Sequence, residues 1–178
     1  MSNRIKLRTL SGTFFRAISA DRVDDVLSPP GTTSAGRYHR PGQTTLYISP
    51  LLEWAIIAVS GYMREDGYPR VVVPLEVGPS CVLDQHDEEA CRLLGIDPNL
   101  SNASWRSALS QGREPTSWLN ADAARNAGAD GIIDCSRMIP GGWHVGLFRW
   151  NKLGGPAVTV AGAPIPIRLS KSGPKWGL

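Results

Sequence analysis

The longest apolar-rich run of the chain is LLEWAIIAVSGYM, residues 51–63, and it restricts the fold more than any other feature. A helix that spans a bilayer needs about 20 apolar residues, so this run is too short to cross one. It reads instead as a helix of a protein core. Ser49 precedes it as an N-cap, and Pro50 takes the first helical position, where the missing N–H costs nothing. The helix is expected to run to about Met63. The 178 residues are enough to enclose it in one domain with a real hydrophobic core. No basic-then-apolar secretory segment opens the chain. A cytoplasmic protein that does not enter a membrane is the expectation.

The segments around this helix alternate between the two regular structures. GTFFRAIS (12–19) and TTLYIS (44–49) read as strands. PRVVVPLEV (69–77) reads as a strand broken or edged at Pro74. GIIDCSR (131–137) and WHVGLFRW (143–150) read as strands around a Pro-Gly-Gly turn, and AVTVAG and IPIRL close the sheet. DRVDDVL (21–27) reads as a short helix stopped by Pro29-Pro30, and SPPGTTSAG (28–36) as loop. DQHDEEACRLLG (84–95) has acids in its first turn and Gly95 as its stop, and PTSWLNADAARNAGADG (115–131) is a helix with a glycine exit. Residues 97–115 look like loop, anchored by Trp105. There is no repeat, no linker and no regular βαβ beat. The expectation is a single α+β domain over 1–178, its core at about 12–169, with a split, largely antiparallel sheet flanked by helices.

Charge and cysteine content exclude several function classes. The net charge is +3, but its placement says more than its size. Arg4, Lys6 and Arg8 lie at one end, and Arg168, Lys171 and Lys175 at the other. The remaining 13 basic and 16 acidic residues leave the body near −3. Basic ends on an acidic body do not make a nucleic-acid-binding face, so no direct nucleic-acid binding is expected. Cys81, Cys91 and Cys135 are odd in number and form no CxxC pair, so they read as buried reduced thiols. His86 beside Asp87, Glu88 and Glu89 reads as a solvated acidic helix start rather than a metal site. His144 reads as a surface or satisfied histidine. The P-loop, GxGxxG, HExxH and GxSxG motifs are all missing.

The segment GRYHRPGQTTLYIS (36–49) carries the most chemistry. Arg37 and Arg40 flank His39, while Gly36 and Gly42 allow close backbone approach. Arginine offers a planar fork suited to phosphate or carboxylate. Tyr47 can set a ring against a flat ligand while its hydroxyl hydrogen-bonds.

Arg16 within FFRAIS, then GRYHRPG, LYIS and an alanine-rich helix, and later GADGIIDCSRM and WHVGLFRW, follow one another along the chain. This succession resembles the RES domain, a family named for its Arg, Glu and Ser. The resemblance spans about residues 12–150, and its specificity lies in the order and spacing of short motifs. It implies a fold like that of ADP-ribosyltransferases. It also implies the toxin of a bacterial toxin–antitoxin pair, which consumes NAD by breaking the nicotinamide–ribose bond. Some members release or phosphorolyse the ADP-ribose, and others transfer it to a protein. The implied partner is an antitoxin of helix-turn-helix, Xre-like type, and no metal is implied.

Carried over residue by residue, Arg16 and Arg37 match the two family arginines, Tyr47 the strand tyrosine and Ser136 the late serine. The resemblance then implies a diphosphate clamp from Arg16 and Arg37. Tyr47, with Tyr38, would flank the nicotinamide, and Ser136 would bond its carboxamide or a ribose hydroxyl. Two positions depart from the family. The GGRWN-like turn reads AGRYHRPG, and Ala58 stands where the helix glutamate belongs. Glu53 is the acid in that helix, but five residues rotate it about 140° beyond full turns. His39 or Glu53 is therefore the candidate for the glutamate's work, with a neutral His39 as base. The alternative is a catalytically weak RES-like domain that binds NAD or a protein.

Overall fold

The computed structural model describes residues 7–169. The basic residues Arg4, Lys6, Lys171 and Lys175 lie outside the described residues.

β1 (Arg8–Ser19) and β3 (Arg70–Asp84) form a long antiparallel ladder running from Arg8 opposite Val82 to Ser19 opposite Arg70. β2 (Leu46–Ile48), β4 (Gly131–Cys135) and β5 (Trp143–Leu147) complete a sheet of order β1-β3-β4-β5-β2. β3 pairs in parallel with β4, and every other described pair is antiparallel. The sheet is split because β3 changes company along its length. Its last residues, Val82–Asp84, pair with β4. Its first part pairs with the short strands β6 (Val158–Val160) and β7 (Ile165–Pro166). The two ends of the order then meet. Phe15 of β1 and Ser49 after β2 exchange N–H···O=C bonds of 2.8 Å each way. The sheet thus curls back on itself.

The structure departs from the sequence expectations at three places, and this curl accounts for the first two. First, Pro74 neither breaks nor edges β3. Phe15, its partner, turns its own N–H and C=O to Ser49, so Phe15 and Pro74 form a non-hydrogen-bonded pair. Pro74 faces the other way, where its carbonyl accepts from Ala161 N–H at 2.9 Å. Its missing N–H falls between β6, opposite Leu75–Val77, and β7, opposite Val71 and Val72. Second, Ser49 does not cap the helix. Its backbone is committed to Phe15, and its hydroxyl pairs with His144 Nδ1 at 2.8 Å. α1 (Leu52–Asp66) starts after Leu51 without a side-chain cap and ends at Gly67, whose φ is 68°. Third, residues 97–115 are not all loop. They hold two short helices, α3 (Asn99–Asn102) and α4 (Trp105–Ser110). The Asp97 carboxylate accepts from Asn99 N–H at 2.9 Å, and the Ser104 hydroxyl accepts from Ser107 N–H at 3.3 Å. An Asx turn at Asp97 leads into α3 and Ser104 caps α4, with no apolar period to betray either helix.

One core cluster packs Phe14, Leu46, Val73, Leu75, Val145 and Leu147 against one another. A second joins Leu83 and Ile132 of the sheet to α2 (Glu88–Leu94) and α5 (Ser117–Asn126) through Ala90, Ala121 and Ala124. A six-residue 3-10 turn, Ala20–Asp25, follows β1 where a short helix was expected. The three cysteines are free thiols, but only Cys91 is buried. Cys81 alternates with buried Ser80 and Val82 along β3 and so faces out. Among the described residues no helix is long and apolar enough to cross a membrane.

Gly131 marks the tightest sheet contact. A Cβ there would stand 2.6 Å from the Gly146 carbonyl oxygen and 3.1 Å from Leu147 Cα. Both are backbone atoms of the neighbouring strand. Gly131→Ala is expected to destabilise the protein by about 1–3 kcal/mol in urea unfolding. An unchanged midpoint would mean that β4 and β5 are not packed this closely.

Candidate active site

A cleft of about 600 Å³ opens between the sheet and α1. β1 contributes Phe15 and Ala17, and the loop before β2 contributes Gly36–His39. Tyr47 of β2, His144 of β5, Asp134 of β4, and Ser136 and Arg137 just beyond β4 face it. α1 presents Ala55, Ala58, Val59 and Tyr62, the spacing of one helical face, and Trp105 of α4 closes one side.

The loop is held by buried polar groups. Tyr38 is 1% exposed and packs into the second core cluster. Gln85 Nε2 donates to its hydroxyl at 3.2 Å and to the Ile133 carbonyl at 3.0 Å. Gln85 Oε1 in turn accepts from Ser101 Oγ at 2.7 Å and Asn120 Nδ2 at 3.2 Å. Trp118 Nε1 donates to the Gly36 carbonyl at 2.8 Å, and Ser117 Oγ to the Arg37 carbonyl at 2.5 Å. Arg125 donates to the Tyr38 carbonyl at 2.7 Å. Arg40 turns away to bind both oxygens of Asp122, at 2.8 and 2.7 Å, with its guanidinium over the Trp118 ring.

These contacts aim two functional groups into the cleft. Arg37 Nη1 donates to the carbonyls of Ser101 at 2.5 Å and Ala103 at 2.8 Å. Arg137 Nη1 donates to the same Ser101 oxygen at 3.0 Å, while its Nη2 pairs with Asp134 at 2.8 Å. Two guanidinium groups therefore converge on one carbonyl. Burial lowers the Arg37 pKa, and the Arg137 charge lowers it further. Asp134, 5% exposed, is the one carboxylate in the cleft wall among the described residues.

The second group is the Tyr47–His39 pair. Tyr47 leaves 37% of its surface open to the cleft side, yet its hydroxyl is enclosed. It accepts from Tyr38 N–H at 2.9 Å and pairs with His39 Nδ1 at 3.0 Å. Burial raises its pKa, so the phenol stays protonated. His39 is 4% exposed, and burial, with the Arg125 charge behind it, lowers its pKa to about 4. Gly36 makes room for the pair, since a Cβ there would meet His39 Cε1 at 2.4 Å and the Tyr47 hydroxyl at 2.8 Å.

Arg37, His39, Tyr47 and Ser136 of the sequence-derived set thus stand in one cleft. Ser136 Oγ accepts from Met138 N–H at 3.3 Å and Ile139 N–H at 3.1 Å. Tyr38 touches the cleft but is spent on the core, so its ring is not free to flank a ligand. Arg16 and Glu53 are not among the cleft-lining residues. Strand alternation sends Arg16 to the face opposite Phe15 and Ala17. There burial, then Arg22, brings its pKa down to about 10, against the pull of Tyr47. Glu53 is exposed in the first turn of α1. Asp134, Arg137, Tyr62 and His144 also line the cleft, although no motif in the sequence marks them as ligand-facing. Two simple periods would have pointed to two of them: Asp134 lies two strand positions before Ser136, and Tyr62 one helical turn after Ala58. His144 is satisfied by Ser49, and burial lowers its pKa.

A family model described as the RES domain matches residues 13–170. The chain belongs to the RES domain family. Among solved structures, the Mycobacterium tuberculosis MbcT–MbcA toxin–antitoxin complex contains a chain of similar fold, with a TM-score of 0.65 and 15% identity. The match covers 90% of this chain and 86% of that one. No curated protein sequence matches this chain. The expected mixed fold with a mostly antiparallel sheet is that of the family.

The depressed His39 pKa links stability to pH. On acidification the unfolded chain takes up this proton near 6.5, and the folded chain only near 4. Stability from neutral His39 is full above pH 6.5 and drains as pH falls towards 4, by up to about 1.4 kcal/mol per pH unit. Urea unfolding of His39→Gln beside the wild type should show the wild type losing more stability between pH 7 and 4.5. Equal losses would show that His39 titrates normally.

Proposed function

We propose that this RES-domain protein is the toxin of a bacterial toxin–antitoxin pair and that it cleaves the nicotinamide–ribose bond of NAD. One observation carries this reading: Arg37 and Arg137 converge on the Ser101 carbonyl in the same cleft as Tyr47, Asp134 and Ser136. Two cations on a shared carbonyl suit a diphosphate, which can bridge both forks with charge-assisted bonds. Arg137 takes the part expected of Arg16. The exposed face of Tyr47, with Tyr62 and Trp105, offers aromatic surface for the nicotinamide. The Ser136 hydroxyl accepts two backbone N–H groups, which leaves its own proton free for the carboxamide or a ribose hydroxyl.

When the glycosidic bond breaks, its electron pair stays on the nicotinamide nitrogen and the base departs neutral. No general acid is needed. The ribosyl carbon becomes oxocarbenium-like and wants a negative neighbour. α1 brings Ala58 to the cleft in place of the family glutamate, so Asp134 is the carboxylate for that role. It would also accept the proton of the incoming hydroxyl, whether from water, phosphate or an acceptor side chain. His39 holds the Tyr47 hydroxyl and remains neutral at physiological pH. Glu53 has no part in this reading. The antitoxin, of helix-turn-helix type, would be the cytoplasmic partner. A second reading, NAD binding without turnover, is favoured by the carboxylate-free face of α1.

Incubation of the purified protein with NAD should release nicotinamide, followed by chromatography. Arg37→Ala is expected to lower kcat/KM about 10- to 100-fold, the loss of one or two charged hydrogen bonds. Asp134→Asn is expected to lower kcat by at least about 100-fold with less effect on KM. NAD bound by equilibrium dialysis but not consumed would establish the second reading. Turnover unaffected by Arg37→Ala would overturn the site.

A further inference from the structure

Cys135 is the last residue of β4, between Asp134 and Ser136, and its side chain points away from the cleft that they line. There its Sγ lies 3.0 Å from His86 Nε2, and His86 Nδ1 lies 2.7 Å from Asp84 Oδ1. Asp84 also accepts from His86 N–H at 3.0 Å and from Arg8 Nη1 at 2.8 Å. Burial alone would raise the Asp84 pKa, but these donors bring it below its ordinary value, and the carboxylate stays ionised. A carboxylate can only accept, so His86 Nδ1 must carry the hydrogen. In neutral His86 the lone pair is then on Nε2, aimed at the thiol. The three groups form a nucleophile, a base and a group that orients the base.

We propose that Cys135 is a modification site, a thiol activated by His86 and Asp84 and open to oxidation by hydrogen peroxide. Burial, with Asp134 and Asp84 nearby, holds the thiol above its ordinary pKa, so the resting group is a neutral S–H bonded to His86. The base is therefore needed at the moment of attack. As sulfur attacks one peroxide oxygen, the O–O bond breaks and the thiol proton passes to His86 Nε2. Asp84 stabilises the imidazolium. The departing hydroxide takes that proton to become water, and sulfur is left oxidised as the sulfenic acid. Cys135 is partly open to solvent and His86 is exposed, so peroxide can reach both. The two chain neighbours of Cys135, Asp134 and Ser136, line the cleft, so an oxygen added here stands one residue from the candidate active site. The proposal does not depend on NAD as substrate.

The chain carries its own control in Cys81, which is more exposed. The purified protein is treated with hydrogen peroxide and dimedone, a trap for sulfenic acid, and labelling is followed by peptide mass spectrometry. Cys135 should label at least about tenfold faster than Cys81, and His86→Gln should slow Cys135 by about tenfold or more while Cys81 is unchanged. His86 is at the surface, and the urea midpoint of the variant shows that it is folded. Faster labelling of Cys81, or a Cys135 rate indifferent to His86→Gln, would overturn the proposal.

Discussion

The Ser101 carbonyl is the point on which the cleft depends. It accepts from Arg37 and Arg137, which come from segments a hundred residues apart in sequence. Two guanidinium groups so close repel each other, and a single oxygen between them offsets part of that repulsion. The oxygen is useful only if it is fixed. Ser101 is fixed through its side chain, whose hydroxyl lies between Gln85 and Asn120. Gln85 in turn ties this cluster to Tyr38 and to β4. An unsatisfied member of such a buried network costs more than the net worth of any one bond in it. The loop carrying Arg37, the short helix carrying Ser101 and the strand carrying Asp134 are therefore placed together or not at all.

The curl of the sheet does the same for Tyr47. β2 is only three residues long and pairs with β5 alone among the named strands. Without the Phe15–Ser49 exchange its outer edge would be free. That exchange leaves Phe15 unable to bond β3, and so permits Pro74 in the middle of a fifteen-residue strand. It also holds Ser49 out of α1, where its hydroxyl meets His144. One strand contact thus decides the placement of a proline, the start of a helix and one wall of the cleft.

Much of this was legible in the sequence, and the limits have physical causes. The strands and long helices declared themselves by apolar period and by turn residues, and the order of short motifs around Arg16, Arg37, Tyr47 and Ser136 indicated the family. Whether a given side chain reached the cleft was harder to read. Arg16 follows Phe15 on a strand, and one step along a strand reverses the face. Tyr38 follows Arg37 in a turn, and no local rule said that the tyrosine would be buried while the arginine faced the cleft. Asp134 and Arg137 form an i,i+3 pair across the end of a strand whose register the sequence does not show. The partners of Ser101 lie between 16 and 64 residues away, and no window along the chain joins them.

β4 shows how little separation two kinds of chemistry need. Strand geometry sends successive side chains to opposite faces, so Asp134 and Ser136 stand in the cleft while Cys135, between them, stands behind it. On the cleft side the neighbours are cationic, and a carboxylate there is paired with Arg137. On the other side the neighbours are His86 and Asp84, and the group presented to them is a thiol. β4 itself is held in the sheet by β3 on one flank and β5 on the other, so it cannot rotate to mix the two faces. A shift of one residue in that register would bring Cys135 into the cleft and turn Asp134 out of it. The close approach at Gly131, where no Cβ fits against Gly146, keeps the strand from slipping.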